Sequence, residues 1–276
     1  MSGTFMKVSC QNLDSTNRSF PMLRQRFMLK KMNYFSDQNG IINRYFNESV
    51  HWKEHLEHCK NFIIQCAGNK KRNVAVVLGS GWLLDLPIDY LCASFKKVYL
   101  LDIIHPVQVK HKLKKYPNVS FVEADITGGL INEVYTLVND FKKKKNIKDL
   151  SALNYDGFRI NLNIDFLISL NIMNQLDILI ADYLKKYNIY REPELTGMRK
   201  KIQQSHFDFL TREHAILITD HEELHYNDEV LESRHSLIHI PLPEDKLRAS
   251  WKWVFDTQNN YYPGKKVVFN VAAMEL

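Results

Sequence analysis

From residue 74 onward, short apolar runs rich in β-branched residues alternate with longer stretches of helical period, and few folds accommodate that alternation. The first runs cover residues 74–78 (VAVVL), 97–104, 119–124, 164–170 and 215–219. An apolar run without polar alternation reads as a strand covered on both faces. Strands separated by helices pair in parallel. The last two runs, 251–256 and 266–272, are joined instead by TQNNYYPGK, a turn-rich stretch that suits an antiparallel hairpin. The expected fold is therefore α/β, with a doubly wound, mostly parallel seven-stranded sheet and an antiparallel C-terminal hairpin. Helices are expected after the turn at 79–81 as far as residue 94, then over 107–116, 131–145, 173–187 and 193–210. Residues 153–162 are ambiguous.

Residues 1–72 are more polar and carry no convincing strand. Their best helix spans 48–66, where Trp52, Leu56, Cys59, Ile63 and Cys66 are spaced for one face. This segment reads as an N-terminal helical extension ahead of an α/β domain at 73–276. In a chain of 276 residues, a hydrophobic share of 45% and a charged share of 25% are those of a soluble globule. No run approaches the roughly 18 to 20 apolar residues that span a bilayer, so no membrane partner is expected. The cysteines form no CxxC pair and the first residues lack the apolar core of a secretory signal, which points to a reduced, cytoplasmic setting. The net charge of +6 is concentrated in KHKLKK (110–115) and KKKKNIK (142–148). Neither run interleaves aromatic residues for stacking bases, so both read as solvated faces, with nucleic acid kept as an alternative partner.

The stretch NVAVVLGSGWLLD joins the first run to a glycine turn, Gly79-Ser80-Gly81. In parallel sheets ligands bind beyond the carboxyl ends of the strands, and such a turn lets a ligand approach bare main chain. Asp102 ends the second run 21 positions after Gly81, the spacing of an acid that accepts hydrogen bonds from ribose hydroxyls. The turn reads GSGWLL, with Leu84 where a dinucleotide fingerprint has its third glycine. A nucleoside without a pyrophosphate fits this pattern better than a dinucleotide.

With these features in order, residues 73–276 resemble the class I S-adenosylmethionine-dependent methyltransferases. VVLGSG looks like their first motif, LLDII like the strand-two acid, EADIT like the strand-three segment, and LISLNIMNQL like the fourth motif. The closing hairpin resembles their antiparallel last strand. The resemblance implies a Rossmann-like domain with S-adenosyl-L-methionine as cofactor. It would place Gly79, Ser80 and Gly81 along the methionine part, Asp102 on both ribose hydroxyls and Ile103 against the adenine. Asp125 would accept from the adenine amino group, with Ile126 as apolar cover, and Ser169 and Asn171 would stand beside the sulfonium. Asp125 as a turn residue and Asn171 as a helix cap are the structural alternatives.

Methyl transfer needs donor and nucleophile held close, aligned and dry, with a base where the acceptor must lose a proton. Besides Asn171, the candidates for catalysis are Asp220 and His221, with His206 and Glu222 as further possible bases. In HWKEHLEHC, His51, His55, His58 and Cys59 would approach one side of a helix, and imidazole and thiolate bind zinc. The segment lacks HExxH and Cys59 belongs to the apolar stripe, so no metal is expected. The helix reads instead as a lid over the cleft, with Trp52 or His55 near the substrate. The acceptor is expected to be a small molecule. The absence of an NPPY or DPPY signature points away from amino groups on planar systems. Two other classes share the pattern: an NAD(P)-linked oxidoreductase, against which the GSGWLL departure stands, and a non-catalytic nucleoside-binding or partner-binding protein of the same fold.

Overall fold

The computed structural model describes residues 19–144, 149–153 and 157–276. The first four apolar runs form β1 (Val74–Leu78), β2 (Lys97–Asp102), β3 (Val119–Glu123) and β4 (Phe166–Leu170), all paired in parallel. β5 (Ile216–Asn227) pairs parallel to β4 through its first residues, and β8 (Lys266–Glu275) runs antiparallel to both β5 and β7 (Leu247–Asp256). The order across the sheet is β3-β2-β1-β4-β5-β8-β7. From β1 the chain builds outward through β2 and β3, then returns to the other side of β1 for β4. The order therefore reverses between β1 and β4, where such sheets leave a crevice.

Alternation within the buried strands divides the core in two. Ala75, Val77, Val98, Leu100 and Ile168 pack beneath α2 (Tyr34–Ala67), α3 (Ile88–Ser94) and α4 (Val107–Lys112). Val76, Leu78, Leu101 and Leu167 face α5 (Leu130–Lys144), α6 (Ile178–Lys186) and α7 (Glu192–Arg212), together with Met28 and Leu29 of α1 (Ser19–Lys31). The sheet is thus doubly wound and mostly parallel, as the alternation of patterns implies. Among the described residues no helix is long and apolar enough to cross a membrane.

Several elements depart from the expectation for local reasons. The turn after β1 does not open directly into a helix: Leu83 adopts φ 61, and α3 starts only after Pro87. The expected helix at 48–66 is the second half of α2, a single helix of 34 residues whose more polar first half lacks a regular apolar stripe. An eighth strand, β6 (Val230–Ser236), pairs with the far end of β5 beyond the reach of β4. Its sequence, VLESRHS, is mostly exposed and charged, as befits an edge strand, and so lacks the apolar face that identifies a buried one. β5 also bulges between Asp220 and Glu222, which leaves His221 as an extra residue opposite β8.

The second half of α2 is built into the core. Trp52 is 1% exposed, stacks on Phe255 at 5.4 Å, meets Trp253 edge-on at 4.8 Å, and donates its indole N–H to the Phe255 carbonyl at 2.9 Å. Each aromatic contact of this kind adds about 0.5–1.5 kcal/mol beyond burial. One turn earlier the buried Glu48 carboxylate accepts from the Thr257 amide and hydroxyl, both at 2.9 Å, and from the Gln258 amide at 3.2 Å. It closes the end of β7 onto the helix. Replacing that charge-assisted acceptor by an amide in Glu48→Gln should cost about 1.5–3 kcal/mol, read as a lowered urea midpoint with unchanged slope; an unaltered midpoint would show the contact to be incidental.

Candidate functional site

The crevice between β1 and β4 opens into a cavity of about 550 Å³. That volume lies within the range of about 300–1,000 Å³ typical of small-molecule sites. Its floor is the exit turn of β1. Gly79 has φ 81, and a Cβ there would stand 2.6 Å from the Leu170 carbonyl oxygen and 2.8 Å from the Ile172 Cβ. What passes so close to Gly79 is the end of β4. Gly81, at φ 43, has nothing within 4 Å of an added Cβ, so its bare main chain faces open space. The two glycines do different jobs: the first admits the neighbouring strand, the second leaves room above the turn.

Asp102, at the end of β2, is held by this turn. One carboxylate oxygen accepts from the Gly81 amide and the other from the Ile103 amide, both at 2.7 Å. Each oxygen keeps further acceptor capacity, so the group is positioned and still has room for hydroxyl donors. Burial pushes its pKa up to about 6, against the lowering effect of those amides. Asp125 is fixed from its own turn, accepting from the Thr127 amide at 2.9 Å, the Thr127 hydroxyl at 2.5 Å and the Ile131 amide at 3.3 Å. This is the turn-and-cap role, and it still leaves Asp125 lining the cavity with Ile103 and Ile126. Burial raises its pKa.

The first half of α2 forms the roof, contributing Tyr34, Asp37, Ile41 and Arg44. It is tied across the crevice by the Gln38 amide, which donates to the Ile104 carbonyl at 2.8 Å, and by the Trp82 indole, which donates to the Gln38 carbonyl at 2.7 Å. Arg44 lies 4.7 Å from the centres of both the Phe255 and Tyr261 rings.

At mid-cavity stand His55, Asn171 and Asp85. Asn171, in the left-handed region at φ 48, donates its amide to the Asp85 carboxylate at 2.8 Å, while its own side-chain oxygen has no partner among the described residues. His55, Cys59 and Asp85 bring potential ligand atoms within 4.8 Å of one another. The Trp251 indole N–H donates to His55 Nδ1 at 3.0 Å. An indole nitrogen only donates, so Nδ1 supplies the lone pair and Nε2 of the neutral ring carries the proton. Nε2 lies 3.6 Å from Cys59 Sγ and 3.5 Å from the Asn171 side-chain nitrogen. Burial, with the His58 imidazole adding repulsion, lowers the pKa of His55 to about 3, and its ring stacks on Trp253 at 3.9 Å. His51 is exposed and His58 stacks on Trp251, so the four-residue cluster expected from spacing does not converge.

The far end is built by the long β5 and its neighbours. Because His221 is the extra residue of the bulge, Asp220 and Glu223 both line the cavity although they are three positions apart. Their rim is aromatic, from Trp253, Phe255 and Phe269. Asp220 is 2% exposed; one oxygen accepts from the Asn174 amide at 3.4 Å and the other has no partner among the described residues. Burial, with Asp85 and Glu223 adding repulsion, pushes its pKa up to about 8.

Four expected residues, Ser169, His206, His221 and Glu222, are corrected here. Ser169 sits on the opposite face of β4, where its hydroxyl pairs with His206 Nε2 at 2.9 Å in the buried core, so neither residue reaches the cavity. His221 is turned away by the bulge and is absent from the lining. Glu222 accepts from the Asn270 amide at 2.6 Å and pairs with Arg234, also outside the cavity. Gly79, Ser80, Gly81, Asp102, Ile103, Asp125, Ile126, Asn171, Asp220, Trp52 and His55 all line it. Asp85, Asn174, Glu223, Asp37 and Arg44 escaped the sequence reading, for they lie in loops, in an irregular strand or on a helix face without periodic signature.

Fold and site together define an α/β protein of Rossmann-like topology with a nucleoside-sized crevice at its switch point. No family model matches the sequence, and no curated protein matches it either. Among solved structures it is similar to the N-methyltransferase NodS from Bradyrhizobium japonicum WM9 in complex with S-adenosyl-L-homocysteine, with a TM-score of 0.38 and 7% identity over 81% of this chain and 87% of that one. A Burkholderia thailandensis 1,6-didemethyltoxoflavin-N1-methyltransferase gives a TM-score of 0.35 and 11% identity over 95% and 93% of the two chains. The 23S rRNA methyltransferase ErmE gives 0.30 and 9% over 80% and 68%. Likeness at this level leaves the functional reading to the residues of this chain.

The raised acids have a consequence for stability. An aspartate held near 8 or 6 when folded, against about 3.9 unfolded, binds more protons in the native state between those values. Its stabilising contribution is full below about pH 4 and is lost as pH rises through the folded pKa. The melting temperature of the ligand-free protein should fall between about pH 5 and 9, and Asp220→Asn should melt higher than wild type at the alkaline end while converging with it near pH 4. Parallel melting curves at all pH values would refute this.

Proposed function

We propose that this chain is an S-adenosylmethionine-dependent methyltransferase. The observation that carries the reading is the acidity of the crevice: its lining holds six carboxyl groups, Asp37, Asp85, Asp102, Asp125, Asp220 and Glu223, against a single arginine, Arg44, and a bound cation draws the raised acids among them into the ionised form. A sulfonium donor with its ammonium group is attracted by such a wall, whereas a dinucleotide diphosphate is repelled by it. The late start of α3, at Ile88, also removes the helix N-terminus that would receive a pyrophosphate.

In this reading the main chain at Gly79, Ser80 and Gly81 supports the amino-acid tail. The two Asp102 oxygens take the ribose hydroxyls, Ile103 and Ile126 cover the adenine, and Asp125 accepts from its amino group. Asn171 and Asp85 receive the ammonium. The cofactor supplies an electrophilic methyl group on sulfur. The chain's own work is to orient it, to exclude water beneath the roof of α2, and to accept a proton at Asp220, whose pKa near neutrality suits a general base. In this reading the first half of α2 covers the site, and Trp52 and His55, in the half built into the core, stand innermost toward the acceptor.

S-adenosylhomocysteine should raise the melting temperature of the protein by mass action and NADH should not. By isothermal titration, Asp102→Ala should weaken S-adenosylhomocysteine binding by about 1–3 kcal/mol, the cost of losing buried acceptors. Equal affinity in wild type and variant would remove Asp102 from the site, and stabilisation by NADH alone would sink the assignment.

A further inference from the structure

Among the described residues the cavity ends in buried polar groups that lack partners, acceptors at Asp220 and Asn174 and donors at the Trp253 indole and Arg44 Nε. At its far wall one Asp220 carboxylate oxygen and the Asn174 side-chain oxygen are both buried and unpartnered among the described residues, on side chains 2% and 5% exposed. The two side chains are joined by the Asn174 amide, which donates to the other Asp220 oxygen at 3.4 Å, so the Asn174 oxygen is directed elsewhere. Leaving such groups unpaired is unfavourable, more so for a charge. A ligand that restores the loss must bring N–H or O–H donors, and beside a buried carboxylate a cationic donor is favoured over a neutral one.

The surroundings select further. Glu223 is engaged by His225 Nε2, and Arg44 is held over the Phe255 and Tyr261 rings. Among the described residues Asp220 keeps one buried carboxylate oxygen of this wall without a partner. Trp253, Phe255 and Phe269 supply apolar and π surface along the same wall, a setting that favours an organic cation with a hydrophobic body. An anionic acceptor would meet Asp85, Asp220 and Glu223 together.

We infer that the methyl acceptor is an aliphatic primary or secondary amine with an apolar body, its nitrogen docked on Asp220 and Asn174 and its body against Trp253, Phe255 and Phe269. The inference rests on the methyltransferase reading. The incoming ammonium passes one proton to the Asp220 carboxylate. The freed nitrogen lone pair then forms the N–CH3 bond as the S–CH3 bond breaks, and the bonding pair leaves with sulfur to give S-adenosylhomocysteine. The product is the N-methylammonium, and the proton on Asp220 returns to water. The groups that face Asp220 and set its proton affinity are Asn174, Asp85 on the loop after β1, and Glu223 on its own strand.

The test uses the full chain. Binding of S-adenosylhomocysteine by titration is measured first and reports on the methyltransferase reading alone. With it bound, phenethylamine, benzylamine and N-methylphenethylamine are titrated beside 2-phenylethanol and phenylacetate, and the same panel is offered with isotopically labelled S-adenosylmethionine. The expected result is binding and N-methylation of at least one amine, with the alcohol and the acid inert. Asp220→Asn should weaken amine binding about tenfold or more while leaving S-adenosylhomocysteine affinity within about twofold, and Asn174→Leu should act in the same direction should the first variant fold poorly. S-adenosylhomocysteine binding with no amine bound, or with the alcohol or acid methylated instead, overturns the amine inference and leaves the methyltransferase reading intact. Failure to bind S-adenosylhomocysteine at all overturns both.

Discussion

The approach of the Leu170 carbonyl to Gly79 is the contact on which the rest of the site depends. Two strand ends meet there with no side chain between them, and both turn away in left-handed geometry, Gly79 at φ 81 and Asn171 at φ 48. The same turn is sewn to the other neighbour of β1, since the Gly79 amide donates to the Leu101 carbonyl at 3.0 Å. Three strands are thereby locked at their carboxyl ends, and the position of Asp102 follows, because its carboxylate is caught by the Gly81 amide, two residues further along the turn. Left-handed backbone at a non-glycine residue is uncommon and is carried where the surroundings over-determine it. At Asn171 it directs a polar side chain into the cavity, where an ordinary helix cap would point at its own helix.

Above this floor, the cavity concentrates groups that weaken the protein. The buried acids of the cavity, among them Asp220 with one oxygen unpartnered among the described residues, are offset by the two hydrophobic layers on either face of the sheet, one joining α1, α5, α6 and α7 and the other α2, α3 and α4. Sites of this kind are the usual place where stability is surrendered to function. The aromatic cluster of Trp52, Trp253, Phe255 and Phe269 sits at the meeting of the two: its members belong to the core, and all four also line the cavity. The rigidity of the far wall is thus the rigidity of the core itself.

How much of this could be read in advance depends on how local the cause is. Strands β1 to β4 were legible because burial on both faces writes an apolar run into the sequence, and Asp102 because a strand end followed by an acid has a fixed distance from the glycine turn. β6 was not, since an edge strand with one exposed face has no such run. Ser169 was placed on the wrong side by one step of the strand's alternation, which sequence alone does not phase against a ligand. The error at His221 has a tertiary cause: a bulge in β5 is set by its pairing with β8, and it puts Glu223, in place of His221 and Glu222, beside the expected Asp220 at the cavity wall. The stripe on residues 52–66 gave the buried half of α2, while its other half, held by Gln38 and Trp82, is specified by long-range contacts.

That α2 is one uninterrupted rod matters for how molecules come and go. Its later turns are packed on β7 and the adjoining face of the sheet, while its earlier turns cross the crevice and are pinned on the far side by Gln38, which bonds Ile104 and Trp82. A beam pinned at both ends opens only when one pin is released, so access to the crevice is tied to the two hydrogen bonds at Gln38.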